Sequence, residues 1–215
     1  MPLDRPATLR IFRKQAPVQV LGPSKRAVIW VQGCPFACGG CIVPESWDAR
    51  GGEAVDVAVL SDWVLSQPDL EGITLSGGEP MLQAGALVAL IDRLRTQADL
   101  GVVCYTGYTW ETLQQQGNTD QLALLDRLDL LIDGRFQAAE QADLLWRGSR
   151  NQRLLALSDR YRPLLPQEPE ADRSAGLEFG MDAAGTLFFS GVPPQADFRQ
   201  RFEAGLRQRG ILLDA

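Results

Sequence analysis

Cys34, Cys38 and Cys41 share one short loop, Gln32-Gly33-Cys34-Pro35-Phe36-Ala37-Cys38-Gly39-Gly40-Cys41, with the spacing C-x3-C-x2-C. Thiolates are the ligands of iron–sulfur clusters, and a cubane cluster presents four irons to be held. Three cysteines therefore leave one iron open to bind a molecule that reacts. The alternative metal is zinc, whose structural sites take four protein ligands. The chain has no histidine, so the fourth ligand would have to be its remaining cysteine, Cys104, folding back. Closed zinc sites usually pair their ligands as C-x2-C knuckles, and the spacing here favours the cluster.

Composition narrows the chemistry further. The chain has 215 residues, 45% of them hydrophobic, which suits one domain or one domain with an appendage. The absence of histidine rules out histidine bases, histidine triads and mixed Cys/His zinc sites. A net charge of −6, from 21 Lys and Arg against 27 Asp and Glu, argues against nucleic acid as a partner. No apolar run approaches the roughly 20 residues that span a bilayer. The start, Met1 to Lys14, lacks the apolar core of a secretory signal. No membrane association and a reducing, cytoplasmic compartment are expected, and they fit clustered thiols that are not disulfides.

The elements that position the cysteines read as alternating strands and helices. Strands are expected at Ala27–Val31, Gly72–Ser76, Gly101–Tyr105 and Leu128–Ile132. Between them lie a helix containing Val55, Val59, Trp63 and Leu65, then one with Leu87, Leu90, Ile91 and Leu94 at helical spacing. Shorter helices follow around Thr109–Gln116 and Asp120–Arg127. Continuous apolar strands alternating with helices predict an α/β fold, a partial barrel of parallel strands with the helices outside. In such folds reactive residues gather beyond the carboxyl ends of the strands. Each informative motif begins where a strand is predicted to end. The cysteine loop follows the first strand, Gly77-Gly78-Glu79-Pro80 the second, Thr106-Gly107-Tyr108 the third and Asp133-Gly134-Arg135-Phe136 the fourth.

The ends of the chain read differently. Leu9–Phe12 and Val18–Leu21 suggest a small edge hairpin. Residues 1–160 are expected to form the core, with the cluster loop at 33–47. Residues 161–215 form an extension packed on it: a connector rich in proline and charge, a β-hairpin and a helix. In the hairpin, Leu177, Phe179 and Met181 alternate, Ala183-Ala184-Gly185 turns, and Thr186–Phe189 returns. In the helix, Phe198, Phe202 and Leu206 recur every fourth residue.

The cysteine loop resembles that of radical S-adenosylmethionine enzymes, whose signature is C-x3-C-x2-C. Within that superfamily the chain resembles the activating component of anaerobic (class III) ribonucleotide reductase. The resemblance spans about residues 20 to 155. It rests on Trp30-Val31-Gln32-Gly33-Cys34-Pro35, Pro44-Glu45-Ser46-Trp47-Asp48, Ser76-Gly77-Gly78-Glu79-Pro80, Tyr105-Thr106-Gly107-Tyr108-Thr109-Trp110-Glu111, Asp133-Gly134-Arg135-Phe136 and Trp146-Arg147-Gly148-Ser149-Arg150-Asn151-Gln152-Arg153.

The resemblance implies that Cys34, Cys38 and Cys41 bind a 4Fe–4S cluster whose open iron chelates S-adenosylmethionine. One-electron cleavage of that cofactor would give methionine and a 5′-deoxyadenosyl radical that abstracts a hydrogen atom. Gly77, Gly78 and Glu79 would meet the cofactor's ammonium, with two glycines letting the backbone approach closely. Thr106 and Gly107 are further cofactor-contact positions. Asp133 would help hold a monovalent cation or the cofactor's carboxylate end. Read without the resemblance, Gly77-Gly78-Glu79 is a strand-to-helix turn and Asp133 a turn cap with Gly134. Arg147 and Arg150 either bind a carboxylate or a partner's loop, or lie in a solvated loop. Cys104 packs in its strand as a small hydrophobe.

The implied substrate is a glycine Cα–H on a partner glycyl radical enzyme, with flavodoxin or ferredoxin as electron donor. The residues past 156 exceed the length of that activase. They keep open a second reading, radical modification of another peptide or of a small molecule. A third is a non-catalytic iron–sulfur or zinc module.

Overall fold

A computed structural model of the chain describes residues 7–181, 187–195 and 197–211. Its centre is four adjacent parallel strands: β2 (Arg26–Val31), β4 (Gly72–Gly77), β5 (Gly101–Tyr105) and β6 (Leu130–Asp133). These are the four strands expected, each shifted by no more than two residues. The order of the full sheet is β3-β1-β2-β4-β5-β6-β9. The three strands added are β1 (Thr8–Val18), β3 (Glu53–Asp56) and β9 (Arg153–Ala156), all antiparallel to their neighbours. The seven strands thus form one open, mixed sheet. Its antiparallel edges have no counterpart in the expected partial barrel.

Alternation along each strand sorts the side chains between two faces. Ala27, Ile29 and Val31 of β2 point one way, with Ile73, Leu75, Val102, Cys104 and Leu131 of the neighbouring strands. They pack against Val57, Leu60 and Val64 of α1 (Val57–Leu65) and Leu87, Leu90, Ile91 and Leu94 of α2 (Ala84–Arg95). Leu113 of α3 (Trp110–Gln116) and Leu124 of α4 (Thr119–Leu125) complete that layer. The helices start where polar caps satisfy their first amides. Asp56 accepts from Ala58 N, and Asn118 and Gln121 form a reciprocal capping box.

On the opposite face Val28 and Trp30 pack with Val18, Val20 and Leu21. Val103, Leu130 and Ile132 there pack with Trp146 and Tyr161. Beneath this face lies Arg26, fully buried. Its guanidinium donates to Thr74 Oγ1 (2.7 Å), Pro23 O (3.0 Å), the Tyr161 hydroxyl (2.8 Å), Gly101 O (2.8 Å) and Ile73 O.

Three local expectations are corrected. The N-terminal stretch is a single strand of 11 residues, not a hairpin. It has partners on both sides, β2 and β3, and nothing between Phe12 and Val18 supplies a two-residue turn. Val55, read as helical, lies in β3, because Glu53–Asp56 pairs with Thr8–Ile11 before the helix begins. Arg153–Ala156 forms an edge strand on β6 that was not foreseen, four residues being too few to show a period.

The C-terminal elements follow the expected order. A small hairpin of β7 (Gln141–Leu144) and β8 (Arg147–Ser149) precedes β9. Beyond the connector, β10 (Leu177–Met181) pairs antiparallel with β11 (Leu187–Gly191), Leu177 opposite Gly191. The turn expected at Ala183-Ala184-Gly185, and Thr186, lie outside the described residues. Helix α5 (Phe198–Arg207) lays Phe198 and Phe202 on the hairpin, with ring centroids 5.5 Å from Phe189 and 5.2 Å from Phe179.

Candidate functional site

The cysteine loop leaves the carboxyl end of β2 and is tied back on itself. Gly33 N donates to Ser46 O (2.7 Å), Cys34 N to Trp47 O (3.1 Å) and Cys41 N to Cys38 O (3.1 Å). The Gln32 side chain holds the far side through Glu45 O (3.0 Å) and Asp48 O (2.8 Å). All three thiols are free and half-buried, and all three line one cavity of about 520 Å³. Among the described residues, no three His, Cys, Asp or Glu side chains form a set that could hold a single metal ion. A cluster with each thiolate on its own iron needs no such convergence. Burial pushes the Cys34 and Cys41 thiols up from their ordinary range. They stay protonated until a metal displaces the proton.

The end of β4 is stitched onto this loop. Gly78 N donates to Val31 O and Glu79 N to Gly33 O, both at 2.8 Å. The glycines are needed for this approach. Gly77 has φ +95°, and a Cβ there would stand 2.7 Å from the Trp30 backbone. At Gly78 a Cβ would stand 2.2 Å from Gly33 O. Gly77 and Gly78 thus bring their backbone to the residue before the first cysteine.

Glu79 carries the connection to the third strand. Its carboxylate is 1% exposed and accepts three hydrogen bonds. Oε1 takes Met81 N (2.9 Å) and Thr106 Oγ1 (2.8 Å), and Oε2 takes Gly107 N (2.8 Å). Burial raises its pKa to about 7, against the pull of those donors. Gly107 faces Phe36 of the cysteine loop so closely that a Cβ would lie 2.5 Å from the ring. The Phe36 ring meets Tyr108 edge-on at 4.9 Å and carries the Arg135 guanidinium at 5.2 Å. Phe36 therefore gathers the loops after β2, β5 and β6.

The cavity brings together Cys34, Cys38, Cys41, Gly77, Gly78, Glu79, Thr106 and Gly107. The four remaining sequence candidates stand apart. Asp133 is fully buried and does not line the cavity. Its carboxylate accepts from Trp110 N (2.7 Å), at the start of α3, and is paired with Arg153. Cys104 is also fully buried, on the helix-covered face of β5 and outside the cavity. The Arg147 guanidinium pairs with Asp172 of the connector, while Arg150 is exposed.

Several cavity residues carried no sequence signal. Arg13 on β1 stacks on Trp30 at 4.6 Å and donates to Phe189 O (3.4 Å), but a lone arginine in a strand has no motif. Glu45 and Arg199 meet across more than 150 residues, which no local pattern reveals. Phe36 sits within the cysteine motif, but its ring contacts are made with residues far along the chain.

The family model for a 4Fe-4S single cluster domain matches residues 20–155. The anaerobic ribonucleoside-triphosphate reductase-activating protein of Vibrio cholerae is 34% identical over 151 residues, covering 66% of this chain and 94% of that protein. Its namesake from Haemophilus influenzae is 35% identical over 140 residues, 61% of this chain and 87% of that one. That of Enterobacteria phage T4 is 32% identical over 147 residues, 65% and 89% respectively. The chain belongs to this family, that of the 4Fe-4S single cluster domain and the anaerobic ribonucleoside-triphosphate reductase-activating proteins.

Proposed function

We propose that the chain is a radical S-adenosylmethionine enzyme that generates a glycyl radical on a partner protein such as an anaerobic ribonucleotide reductase. The observation that carries this reading is the convergence of Cys34, Cys38 and Cys41 with Gly77-Gly78-Glu79 and Thr106-Gly107 on one cavity. The donor set fits a 4Fe–4S cluster, because three thiols on one loop leave one iron for a second ligand. The proposed compartment is cytoplasmic. Among the described residues no helix is long and apolar enough to cross a membrane.

When bound, the cluster and S-adenosylmethionine would supply one-electron radical chemistry able to take hydrogen from a glycine Cα. The chain's own residues bind, orient and shield. Cys34, Cys38 and Cys41 hold the metal through a loop fixed at both ends by Gly33, Ser46 and Trp47. Gly77 and Gly78, held against the cysteine loop, line the cavity, where their carbonyls would accept from an ammonium. Glu79 supplies negative charge beside them and locks Thr106 and Gly107 into place. Trp30, Phe36 and Phe136 line the wall and limit water. Asp133 acts by position: it anchors α3 and Arg153 behind the rim. The electron would come from a flavodoxin or ferredoxin.

Anaerobic reconstitution with iron and sulfide tests the reading. The expected product is a brown protein with about four irons per chain, which cleaves S-adenosylmethionine to 5′-deoxyadenosine under reduction. Added anaerobic reductase should then show a glycyl radical by electron paramagnetic resonance. A colourless protein holding one zinc would sink the proposal. Cofactor cleavage without a glycyl radical would favour modification of another peptide or a small molecule. One observation supports that second reading: Phe188 and Phe189 of the C-terminal hairpin line the same cavity and narrow it.

A further inference from the structure

The C-terminal extension lies beyond the family match at 20–155, yet it forms part of the cavity wall that holds the three thiols. It is pinned there at several points. Ser190 Oγ donates to Gln15 Oε1 (2.7 Å), Gln19 N donates to Glu178 Oε1 (3.1 Å), and the Gln141 side chain donates to Pro193 O (3.3 Å). Helix α5 is seated by the Phe198 and Phe202 rings, which stack on each other and meet Phe189 and Phe179 of the hairpin at 5.5 and 5.2 Å. From this seat Arg199 reaches into the cysteine loop. Its Nη1 donates to Ile42 O (2.8 Å) and to Glu45 Oε2 (3.0 Å), its Nη2 to Glu45 Oε1, and its Nε to Glu203 Oε1 (2.7 Å).

These contacts fall at a sensitive place. Ile42 directly follows the third cysteine, and Glu45 belongs to the short Pro44–Ser46 turn whose last carbonyl holds Gly33 N. Arg199 and Glu45 are each only 24% exposed, so water screens their charges weakly. Glu45 is also within electrostatic reach of Arg13.

We propose that Arg199 is a positioning residue through which the C-terminal extension sets the reduction potential of the cluster. This rests on the reading that Cys34, Cys38 and Cys41 hold that cluster. Three thiolates and a 4Fe–4S core make an anion, and reduction adds one further negative charge. Cluster potentials follow net charge, hydrogen bonding and solvent exposure. An uncompensated Glu45 carboxylate beside the loop opposes the added electron. Arg199 neutralises it and at the same time fixes the peptide that follows Cys41. The chain thus carries, outside its family core, a charge-paired clamp on the loop that binds the metal.

A redox titration followed by electron paramagnetic resonance, on the anaerobically reconstituted full chain, tests this. Arg199→Gln is expected to shift the midpoint potential to more negative values than wild type. Glu45→Gln, which leaves the guanidinium in excess, is expected to shift it to more positive values. It reads the same charge should Arg199→Gln assemble its cluster poorly. The double variant Glu45→Gln/Arg199→Gln is expected to return towards wild type, and Arg199→Lys to stay near it. Single variants that both keep the wild-type potential on an intact cluster overturn the proposal and leave the cluster assignment standing. A double variant as displaced as Arg199→Gln also overturns it, because charge is then not the cause. Wild-type protein that takes up no iron, or keeps it after all three thiols are replaced, overturns both readings.

Discussion

Gly78 lies against Gly33 so closely that a Cβ on Gly78 would stand 2.2 Å from the Gly33 carbonyl oxygen. The same carbonyl accepts from Glu79 N at 2.8 Å, so the clash and the hydrogen bond share one atom. Gly78→Ala must push the cysteine loop away or break that bond. The variant is expected to lose about 1–3 kcal/mol of stability and to bind distinctly less iron than wild type on reconstitution. Iron per chain and urea unfolding measure the two effects. An alanine variant that loads iron like wild type would mean the loop tolerates the displacement.

The four cysteines divide by face. Cys38 lines the cavity, whereas Cys104 is packed among the helix-facing side chains of the sheet. Cys38→Ala is expected to abolish the visible absorbance of the reconstituted protein. Cys104→Ser is expected to keep its iron but to lose about 1–3 kcal/mol, because it buries a hydroxyl among apolar groups. Loss of metal in the serine variant at unchanged stability would revive Cys104 as a ligand.

Arg26 is a buried cation with five hydrogen bonds and, among the described residues, no carboxylate in salt-bridge contact. Burial works against its charge and lowers its pKa from the ordinary range. The guanidinium earns its place by satisfying the carbonyls of Pro23, Ile73 and Gly101 and by tying Tyr161 under the sheet. Arg26→Met keeps much of the volume and strands those acceptors. The expected cost is on the order of 3 kcal/mol, read from denaturant unfolding. A change below about 1 kcal/mol would show that water or relaxation replaces the lost donors.

How far the sequence reached depends on where the signal lies. The parallel strands were legible because β2, β4, β5 and β6 are buried on both faces and so are nearly continuously apolar. The rim was legible because the cysteines, Gly77-Gly78-Glu79 and Thr106-Gly107 each follow such a strand. The edges were not. β1 runs unbroken past Phe12 to Val18 along β2 while its start, Thr8–Ile11, also pairs with β3, and β9 adds four half-buried residues with no period. The partnership of Arg199 with Glu45, and of Asp133 with Arg153, joins charges that are ordinary in sequence and specific only once the chain is folded.

Glu79 makes the cavity sensitive to pH. Its pKa rises from 4.5 to about 7 on folding, because burial outweighs its three donors. The folded chain therefore keeps a proton that the unfolded chain releases. The sign follows: the contribution is fully present below about pH 4.5 and is lost as pH rises through about 7, on the order of 3 kcal/mol in all. Urea unfolding of the metal-free protein should show wild type weaker at pH 8 than at pH 5.5. Glu79→Gln is expected to lose that part of the slope, while being less stable at the lower pH because its amide sets a donor against a backbone N–H. Binding of S-adenosylmethionine to the reconstituted protein should tighten over the same interval, since an ammonium beside the carboxylate favours its charged form. Parallel slopes in the two proteins would mean that Glu79 does not titrate there, and its role would reduce to the hydrogen bonds that join the second strand to the third.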